Sequence, residues 1–247
     1  MAMSFDFSGK RIVVTGAGQG IGRALATALV ASGAEVVAVS RTRSYLDSLS
    51  AELSSPKLQT LTVDLGDWDA TEAALGNIGA VDGLVNNAAV AIIENFLDMT
   101  KDGLEKSLNV NLTAVLHVSQ IIARGMVQRG KGGSIVNVSS QASMAALQGH
   151  TAYGASKAGV DNASRVMALE LGKHGIRVNC VNPTVVLTDM GKLWLDPARG
   201  GPMLAKIPLN KFAEVKEVVD TILFLLSDNA GMVNAVTLPV DGGFLST

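Results

Sequence analysis

Short apolar segments alternate with longer amphipathic segments along almost the whole chain. The short segments carry Val and Ile at both alternating positions, which is typical of strands covered on both faces of a parallel sheet. The predicted strands are Arg11–Thr15, Glu35–Val39, Gln59–Val63, Gly83–Val85, Ser134–Val138, Arg177–Val181 and Ala235–Pro239. Helical periodicity lies between them, near residues 20–32, 43–53, 68–76, 101–130, 152–172 and 214–227. The alternation predicts an α/β fold, with one doubly wound domain over residues 1–247 and a mostly parallel seven-stranded sheet.

One long segment, from Pro183 to Phe212, has no clear period and is interrupted by several Gly and Pro residues. A stretch of that length in a compact domain is more often a binding loop or lid than a defect. We therefore predict that residues 188–212 form a lid over a ligand site.

Charge and composition limit the possible partners. Twenty basic against 22 acidic residues give a net charge of −2 without a basic block, so nucleic-acid binding is not expected. Apolar residues make up 48% of the chain, but the run from Ile222 to Leu226 is too short to cross a bilayer. Buried helices and subunit interfaces explain the apolar content better than a membrane span does.

Neither a secretion signal nor a metal site is indicated. The segment from Met1 to Lys10 has no apolar core of a signal peptide. Cys180 is the single cysteine and lies in an apolar strand pattern, so we expect a reducing, cytoplasmic compartment. The three histidines are scattered without metal-ligand spacing.

A glycine-rich turn from Thr15 to Gly22 joins the first predicted strand to a helix. Glycines there permit a tight turn and a close approach of the backbone to a pyrophosphate, which the N–H groups at the helix start can bind. An ordinary strand–helix turn could show similar glycines, but a second strand about 20 residues further on favours a dinucleotide site. The expected contacts in this turn are Gly16, Gln19, Gly20, Ile21 and Gly22.

The end of the second predicted strand indicates which cofactor binds. NAD enzymes place a carboxylate there for the ribose 2′-OH, but this chain has Ser40, Arg41 and Thr42, and Asp47 lies well into the next helix. Arg41 can meet a 2′-phosphate through a charge-assisted contact, with the two hydroxyls as further donors. Alternatively, Arg41 and Arg43 are solvated surface residues. We predict NADP(H).

Candidate catalytic groups follow. Tyr153 and Lys157 are four residues apart at the head of a helical pattern and therefore share a helix face. Lowering a tyrosine pKa from about 10 by about 3 units requires roughly 4 kcal/mol, which a nearby ammonium and an oxidised nicotinamide can supply. Without further evidence, a Tyr and a Lys at this spacing are more often exposed surface residues without a catalytic role. Ser140, however, follows a strand at the edge where parallel sheets bind ligands, and Asn111 lies in the long helix, where a buried amide needs a partner.

These residues resemble the short-chain dehydrogenase/reductase family over essentially the full length of the chain. Its Thr-Gly-x-x-x-Gly-x-Gly motif matches Thr15 to Gly22, and its Asn-Asn-Ala-Gly motif matches Asn86 to Ala89, with Ala89 in place of the final glycine. Pro183-Thr184 replaces a common Pro-Gly. The resemblance implies a Rossmann domain. The two departures from the family motifs, at Ala89 and Thr184, affect only the expected geometry of the local loops.

The resemblance also implies roles. Tyr153 would be the general acid, Lys157 would bind the ribose and lower the Tyr153 pKa, Ser140 would polarise the carbonyl, and Asn111 would hold a relay water. Further cofactor contacts would lie beside the adenine, at the end of the fourth strand and at the carboxamide. They are Asp64, Leu65, Asn87, Ala88, Val186 and Thr188.

Within that family the chain resembles the L-xylulose reductase branch, also called dicarbonyl reductase. The likeness lies in the segments Val37 to Thr42, Val63 to Trp68, Val181 to Val186 and Lys211 to Val215. It implies reduction of L-xylulose to xylitol and of α-dicarbonyls such as diacetyl. A 3-oxoacyl thioester reductase and a non-catalytic NADP-binding protein are the alternatives, and intact Ser140, Tyr153 and Lys157 argue against the second.

The substrate end of the site is expected to include Gln141, His150 and Trp194, beside Ser140 and Tyr153. The first two offer polar contacts and Trp194 an apolar wall, which suits a small polar carbonyl compound. Alternatively, His150 caps the helix start and Trp194 packs on the lid. Apolar residues beyond one stripe on the helices near 101–130 and 152–172 predict a homotetramer, the assembly common in the family. They are Val115, Val118, Ile121, Ile122, Val160, Val166, Met167 and Leu169.

Overall fold

Seven parallel strands form one sheet at the centre of the molecule. The computed structural model describes residues 5–189 and 191–247, so part of the N-terminal segment and residue 190 of the predicted lid lie outside the described residues. The strands are β1 Arg11–Thr15, β2 Glu35–Ser40, β3 Leu58–Thr62, β4 Gly83–Asn86, β5 Gly133–Val138, β6 Ile176–Pro183 and β7 Thr237–Val240. Their order in the sheet is β3-β2-β1-β4-β5-β6-β7, and every neighbouring pair is parallel.

Eight α-helices are present in the described part of the chain. They are α1 Gly20–Ala31, α2 Arg43–Leu53, α3 Trp68–Leu75, α4 Lys101–Leu108, α5 Ala114–Arg129, α6 Thr151–Leu171, α7 Pro197–Leu204 and α8 Val215–Leu226. The predicted doubly wound α/β fold is confirmed, because the helices cover both faces of the sheet. Alternate residues of β1 show this: Val13 packs in one core layer with Val118 of α5, and Val14 packs in the other with Leu25 of α1 and Ile222 of α8.

The predicted continuous helix near 101–130 is wrong in one detail. A π turn, Asn109–Thr113, separates α4 from α5, and the amide of Ala114 donates to the carbonyl of Asn109. The hydrophobic period continues through the turn, so the sequence pattern does not reveal the wider winding. Such turns inside helices are frequent at functional sites, and this one contains Asn111.

The predicted lid also contains more regular structure than expected. The 3₁₀ segment Gly191–Leu195 and α7 lie within it. Asp196 caps α7 through its side chain, which accepts from the amide of Ala198 at 3.0 Å. Gly200, Gly201 and Pro202 inside α7 hid its period, whereas Pro197 stands at the first helical position, where a missing N–H costs little.

The last strand begins two residues later than predicted. Ala235 adopts a left-handed backbone with φ of 63°, which is incompatible with an extended strand. Pro239 is tolerated in β7 because β7 is an edge strand with only β6 as its neighbour. The other edge strand, β3, is exposed on much of its surface, so not every strand is covered on both faces as expected.

The apolar residues used to predict an assembly are mostly covered by the chain itself. Five of the eight lie buried in the core: Val115, Val118, Ile121, Ile122 and Val160. Val166 and Leu169 stay exposed, at 46% and 82%, and Leu116 on α5 is exposed as well. The exposed apolar surface that remains for an interface is therefore a smaller patch on α5 and α6, formed by Leu116, Val166 and Leu169.

One helical run in the described part of the chain, Lys101–Arg129, is long and apolar enough to span a membrane by length and composition alone. Just over half of its most apolar window (56%) is buried inside the fold. In α5, Val118, Ile122 and Met126 face the sheet and pack in its core. The run thus fits the core helix of an α/β domain, which meets the same criteria.

The sheet topology fixes where ligands bind. β1 has β2 on one side and β4 on the other, so the chain turns in opposite directions from adjacent strands and leaves a crevice at their carboxyl ends. Asn87, just after β4, closes the bottom of this crevice. Its Nδ2 donates to the carbonyls of Thr15 and Gly16, at 3.1 and 3.2 Å.

Candidate active site

The glycine-rich turn between β1 and α1 forms a floor without side chains. Gly16 and Gly20 adopt positive φ, 64° and 55°. A Cβ on Gly18 would lie 2.8 Å from Cβ of Tyr45, so the turn also needs a small residue there. Gln19 caps α1 without a side-chain hydrogen bond, which leaves the first amides of the helix available to an anion. This cradle fits a dinucleotide pyrophosphate.

Gly22 serves a different purpose from the one predicted. It is buried, and a Cβ there would collide with the carbonyl of Gly16 and with Asn87. Gly22 therefore allows α1 to pack closely on the end of β1, and it does not line the cavity.

The end of β2 lies at the rim of the same cavity. Arg41 is exposed there, whereas the hydroxyl of Ser40 accepts from the amide of Thr42 at 3.3 Å. Thr42 precedes α2 without a side-chain cap, and the first turn of α2 holds no acidic residue. Arg43 is turned away toward Asp47, 3.6 Å from it. A cation and a free helix start thus lie side by side, an arrangement that fits a phosphate.

Ser140 lies two residues after β5 and caps the 3₁₀ turn that follows. Its Oγ accepts from the amide of Ala142 at 3.1 Å, and its carbonyl accepts from the hydroxyl of Ser143 at 2.7 Å. Its neighbour Ser139 is buried and donates to the carbonyl of Lys157 at 3.2 Å. Both serines line the cavity, but the Ser139 hydroxyl is bound to the main chain of α6, whereas the Ser140 hydroxyl bonds with Tyr153.

Tyr153 and Lys157 lie in the first turns of α6 and both line the cavity. The Lys157 side chain is buried, and its Nζ donates to the carbonyl of Val138 at 2.8 Å. That ammonium lies 5.8 Å from the centre of the Tyr153 ring. A phenol, a hydroxyl and an ammonium therefore converge at one point of the cavity.

The pKa of Tyr153 differs in direction from the expected lowering. Burial raises it above its usual 10, and the hydrogen bond with Ser140 opposes this only in part. Burial lowers the pKa of Lys157 to about 8, while the neighbouring Cys180 and Asp161 oppose the shift. The Tyr153 pKa is raised because burial without a cofactor removes water from the phenolate. The Lys157 ammonium, which was expected to lower this pKa, is directed at the Val138 carbonyl. Tyr153 thus holds its proton, which suits a proton donor.

Asn111 lies behind the site instead of on its wall. Its Oδ1 accepts from the amide of Val90 at 2.8 Å, and its Nδ2 donates to the carbonyl of Val90 at 2.9 Å and to Ser156 at 3.2 Å. The side chain is fully buried and joins the π turn to α6 and to the loop after β4. Its side-chain amide is therefore occupied by protein groups, so the predicted relay water is left to the main chain of Asn111.

The expected substrate contacts all line the cavity. Nδ1 of His150 lies 2.7 Å from the carbonyl of Gln148, so Nδ1 is the donor and Nε2 is left for another partner. His150 does not cap α6 through its side chain; its ring meets that of Tyr153 edge-on at 6.0 Å. Trp194 combines both expected roles, because it packs in the lid cluster and also lines the cavity, with Arg199 over its ring at 5.2 Å.

One cavity of about 550 Å³ joins these parts. All predicted site residues line it except Gly22 and Asn111. Sequence reasoning missed several lining residues; among them are Tyr45, Ile93, Leu147, Thr184 and Met203. Tyr45 was detectable as an aromatic residue in the first turn after β2, but nothing in the sequence marks Met203. No group of three or more His, Cys, Asp or Glu residues suited to a metal ion occurs in the described ranges.

Comparison with known proteins gives consistent matches. A family model described as enoyl-(acyl carrier protein) reductase matches residues 16–245. L-xylulose reductase of Mus musculus is 58% identical over 246 residues, which cover 99% of this chain and all of the relative. Carbonyl reductase (NADPH) 2 of Sus scrofa is 52% identical, with 99% of this chain and 100% of the relative covered.

A solved structure is similar in fold as well. The crystal structure of a gluconate 5-dehydrogenase from Burkholderia cenocepacia, in complex with NADP and tartrate, superposes with a TM-score of 0.93 and 29% identity. The match covers 99% of this chain and 98% of that one. Each of these likenesses thus spans most of the glycine-rich turn, helix α6 and the segment with α7.

Proposed function

Because the chain belongs to the short-chain dehydrogenase/reductase family and is an oxidoreductase, we propose that it is an NADPH-dependent reductase of small carbonyl compounds. Its substrates are L-xylulose, reduced to xylitol, and α-dicarbonyls such as diacetyl. One observation carries the proposal: Ser140, Tyr153 and Lys157 converge at one end of the cavity whose other end is the glycine-rich turn and Arg41. The relatives named L-xylulose reductase and carbonyl reductase support the choice of substrate class.

The residues divide the chemistry as follows. NADPH, when bound, supplies a hydride for the carbonyl carbon. Ser140 donates a hydrogen bond to the carbonyl oxygen, and Tyr153 transfers its phenolic proton to that oxygen, so the C=O group becomes CH–OH. The raised pKa of Tyr153 keeps the proton in place until the oxygen develops negative charge.

Lys157 and Asn111 return the proton in this proposal. The Lys157 ammonium stabilises the phenolate left on Tyr153 and binds a ribose hydroxyl. Since the side chain of Asn111 is occupied by Val90 and Ser156, a relay water is held by its main-chain carbonyl. The π turn supports this, because it changes the main-chain hydrogen bonding around Asn111: the amide of Ala114 donates to the carbonyl of Asn109, five residues earlier.

The cofactor is NADP(H) because of the charge at the end of β2. Arg41 and the uncapped start of α2 attract the 2′-phosphate, and the first turn of α2 carries no acidic residue that would repel it. The relative named as an NADPH enzyme and the NADP complex of the similar structure support this choice.

Two wider properties complete the proposal. The chain assembles as a homotetramer through the apolar patch on α5 and α6, and it acts in the cytoplasm. Cys180 is consistent with a reducing compartment, since it is free and buried and burial raises the pKa of its thiol to about 12.

A steady-state assay with NADPH tests the function directly. The panel contains L-xylulose, diacetyl, a long-chain 3-oxoacyl thioester and a steroid ketone. We expect the two small compounds to give the highest kcat/KM. A preference for the thioester would favour the alternative, a 3-oxoacyl thioester reductase, and no turnover with any compound would overturn the enzyme assignment.

A further inference from the structure

A buried carboxylate lies one helical turn beyond Lys157. Asp161 follows it by four residues in α6, so the two side chains share a helix face. Both residues are almost fully buried, with exposures of 4% and 2%. An ionised carboxylate is costly to bury unless it is paired and hydrogen-bonded, so its position calls for a role beyond packing.

Asp161 is connected to the Ser140 backbone through one amide. Nδ2 of Asn182, at the end of β6, lies 3.0 Å from Oδ2 of Asp161, 3.1 Å from the carbonyl of Ser140 and 2.8 Å from Oγ of Ser143. Asn182 is fully buried, and so this contact is shielded from water. The helix that carries Tyr153 is thereby tied to the turn that presents the Ser140 hydroxyl.

Asp161 is also the buried acidic residue one helical turn from Lys157 on α6. The titratable groups that raise the pKa of that lysine are Cys180 from β6 and Asp161 from α6. Burial raises the pKa of the Cys180 thiol to about 12, so the thiol is neutral and Asp161 is the group that can supply negative charge. The Lys157 ammonium also lies near the ring of Tyr153 and the carbonyl of Val138. Neither carries charge near neutral pH.

We propose that Asp161 is a positioning residue of the active site: through Asn182 it fixes the Ser140 main chain, and its charge keeps the buried Lys157 side chain in its ammonium form. One side chain thus acts on two catalytic groups: its hydrogen bond to Asn182 acts on Ser140, and its charge acts on Lys157. This inference rests on the proposed reductase function for the roles of Ser140 and Lys157.

The charge is tested by Asp161→Asn, which retains a carbonyl acceptor for Asn182 and removes only the negative charge. Lys157 is observed by ¹³C NMR in cofactor-free protein labelled with [ε-¹³C]lysine, and Lys157→Met identifies its signal. We expect the titration midpoint of Lys157 to fall by about one pH unit, since an opposite charge nearby is lost. Asp220→Asn is the matched control, because Asp220 is an exposed partner of Lys216 on α8.

The link is tested by Asn182→Ala with the best substrate from the assay panel. We expect kcat to fall about tenfold at every pH, equivalent to about 1.4 kcal/mol, whereas Asp161→Asn loses activity only on the alkaline side and is nearly normal at pH 6. A purely structural role would lower the melting temperature of both variants without this difference in pH profile.

The outcomes are decisive. An unmoved Lys157 midpoint in Asp161→Asn overturns the proposal, and so does unchanged kcat in Asn182→Ala. Asp161→Ser is the second charge-removing variant; if neither variant folds, the carboxylate is required for folding and the positioning role is rejected. The NMR titration needs no substrate, so failure of the proposed function, seen as an inactive unmodified protein, is distinguishable from failure of this inference.

Discussion

The ammonium of Lys157 lies 2.8 Å from the main-chain carbonyl of Val138, in a position closed to solvent. The contact joins α6 to the last residue of β5, immediately before the two serines that follow that strand. It also holds a positive charge where burial disfavours it, so the ionisation of this lysine is sensitive to pH in a range that is easily measured.

The activity should fall as pH rises through about 8. Burial lowers the Lys157 pKa to about 8, so the ammonium is present below that pH and lost above it. We expect kcat/KM for NADPH, which reports ionisation of the free enzyme, to decline with an apparent pKa near 8. A rate profile that stays flat to pH 10 would contradict this.

Removal of the phenolic proton should nearly abolish turnover. In Tyr153→Phe the ring remains while the transferable proton is lost, so we expect kcat to fall by about 10² or more with NADPH binding largely retained. Tyr45→Phe is the matched control, because Tyr45 also lines the cavity but lies beside the glycine-rich turn. Near-normal turnover in Tyr153→Phe would refute its assignment as the acid; fluorescence titration with NADPH measures the binding.

Cofactor preference should depend on Ser40 and Arg41. We expect NADPH to be favoured over NADH by at least about tenfold in kcat/KM, equivalent to about 1.4 kcal/mol. Ser40→Asp should make NADH the better cofactor, because the carboxylate repels the 2′-phosphate. Arg41→Ala should reduce the preference for NADPH. Arg43→Ala should leave it unchanged, since Arg43 pairs with Asp47 outside the cavity. Equal efficiency with both cofactors in the unmodified protein would show that these arginines are only solvated surface residues.

Substrate size should be limited by Trp194. A site with polar groups for hydroxyls discriminates strongly against analogues that lack them, and the indole shortens the cavity. Trp194→Ala should therefore narrow the difference in kcat/KM between L-xylulose and a long-chain 3-oxoacyl thioester. Leu195→Ala, at an exposed position of the same 3₁₀ segment, should leave that difference as it is. If the two variants give the same ratio of kcat/KM for L-xylulose to kcat/KM for the thioester, the Trp194 indole does not limit the length of the substrate.

Assembly should depend on the exposed patch of α6. We expect light scattering at micromolar concentration to give four times the chain mass of 25.5 kDa. Leu169→Glu should shift the protein to smaller species, because Leu169 is 82% exposed in the single chain and a charge cannot be buried there cheaply. Ala51→Glu, on the exposed side of α2, is the control. A monomeric unmodified protein would contradict the prediction.

Sequence patterns predicted the elements of this fold well, because strands covered on both faces give short continuous apolar runs, whereas helices give a 3.6-residue period. They failed where the backbone departs from these periods. The π turn around Asn111 keeps the helical spacing of apolar residues, and α7 carries Gly and Pro in its first turns. In both places the local conformation is set by tertiary contacts.

The site shows the same division. Motif spacing located Ser140, Tyr153 and Lys157, because each lies at a fixed distance from a strand end or a helix start. It could not reveal that the Asn111 amide is occupied by Val90, or that Met203 reaches the cavity. These contacts join segments far apart in sequence, and no short-range spacing records them.

The bond between Asn87 and Thr15 has a consequence for the order of folding. It spans 72 positions of the sequence, and the carbonyl of Gly16, which the same amide holds, belongs to the nucleotide cradle. β1 and β4 are direct neighbours in the sheet, although β2 and β3 lie between them in the sequence. The cradle is therefore complete only when the long chain segment between β1 and β4 has closed into a loop. Because such distant pairings form slowly compared with local helices, the ability to bind a dinucleotide should be acquired late in refolding, after most of the helical signal has returned.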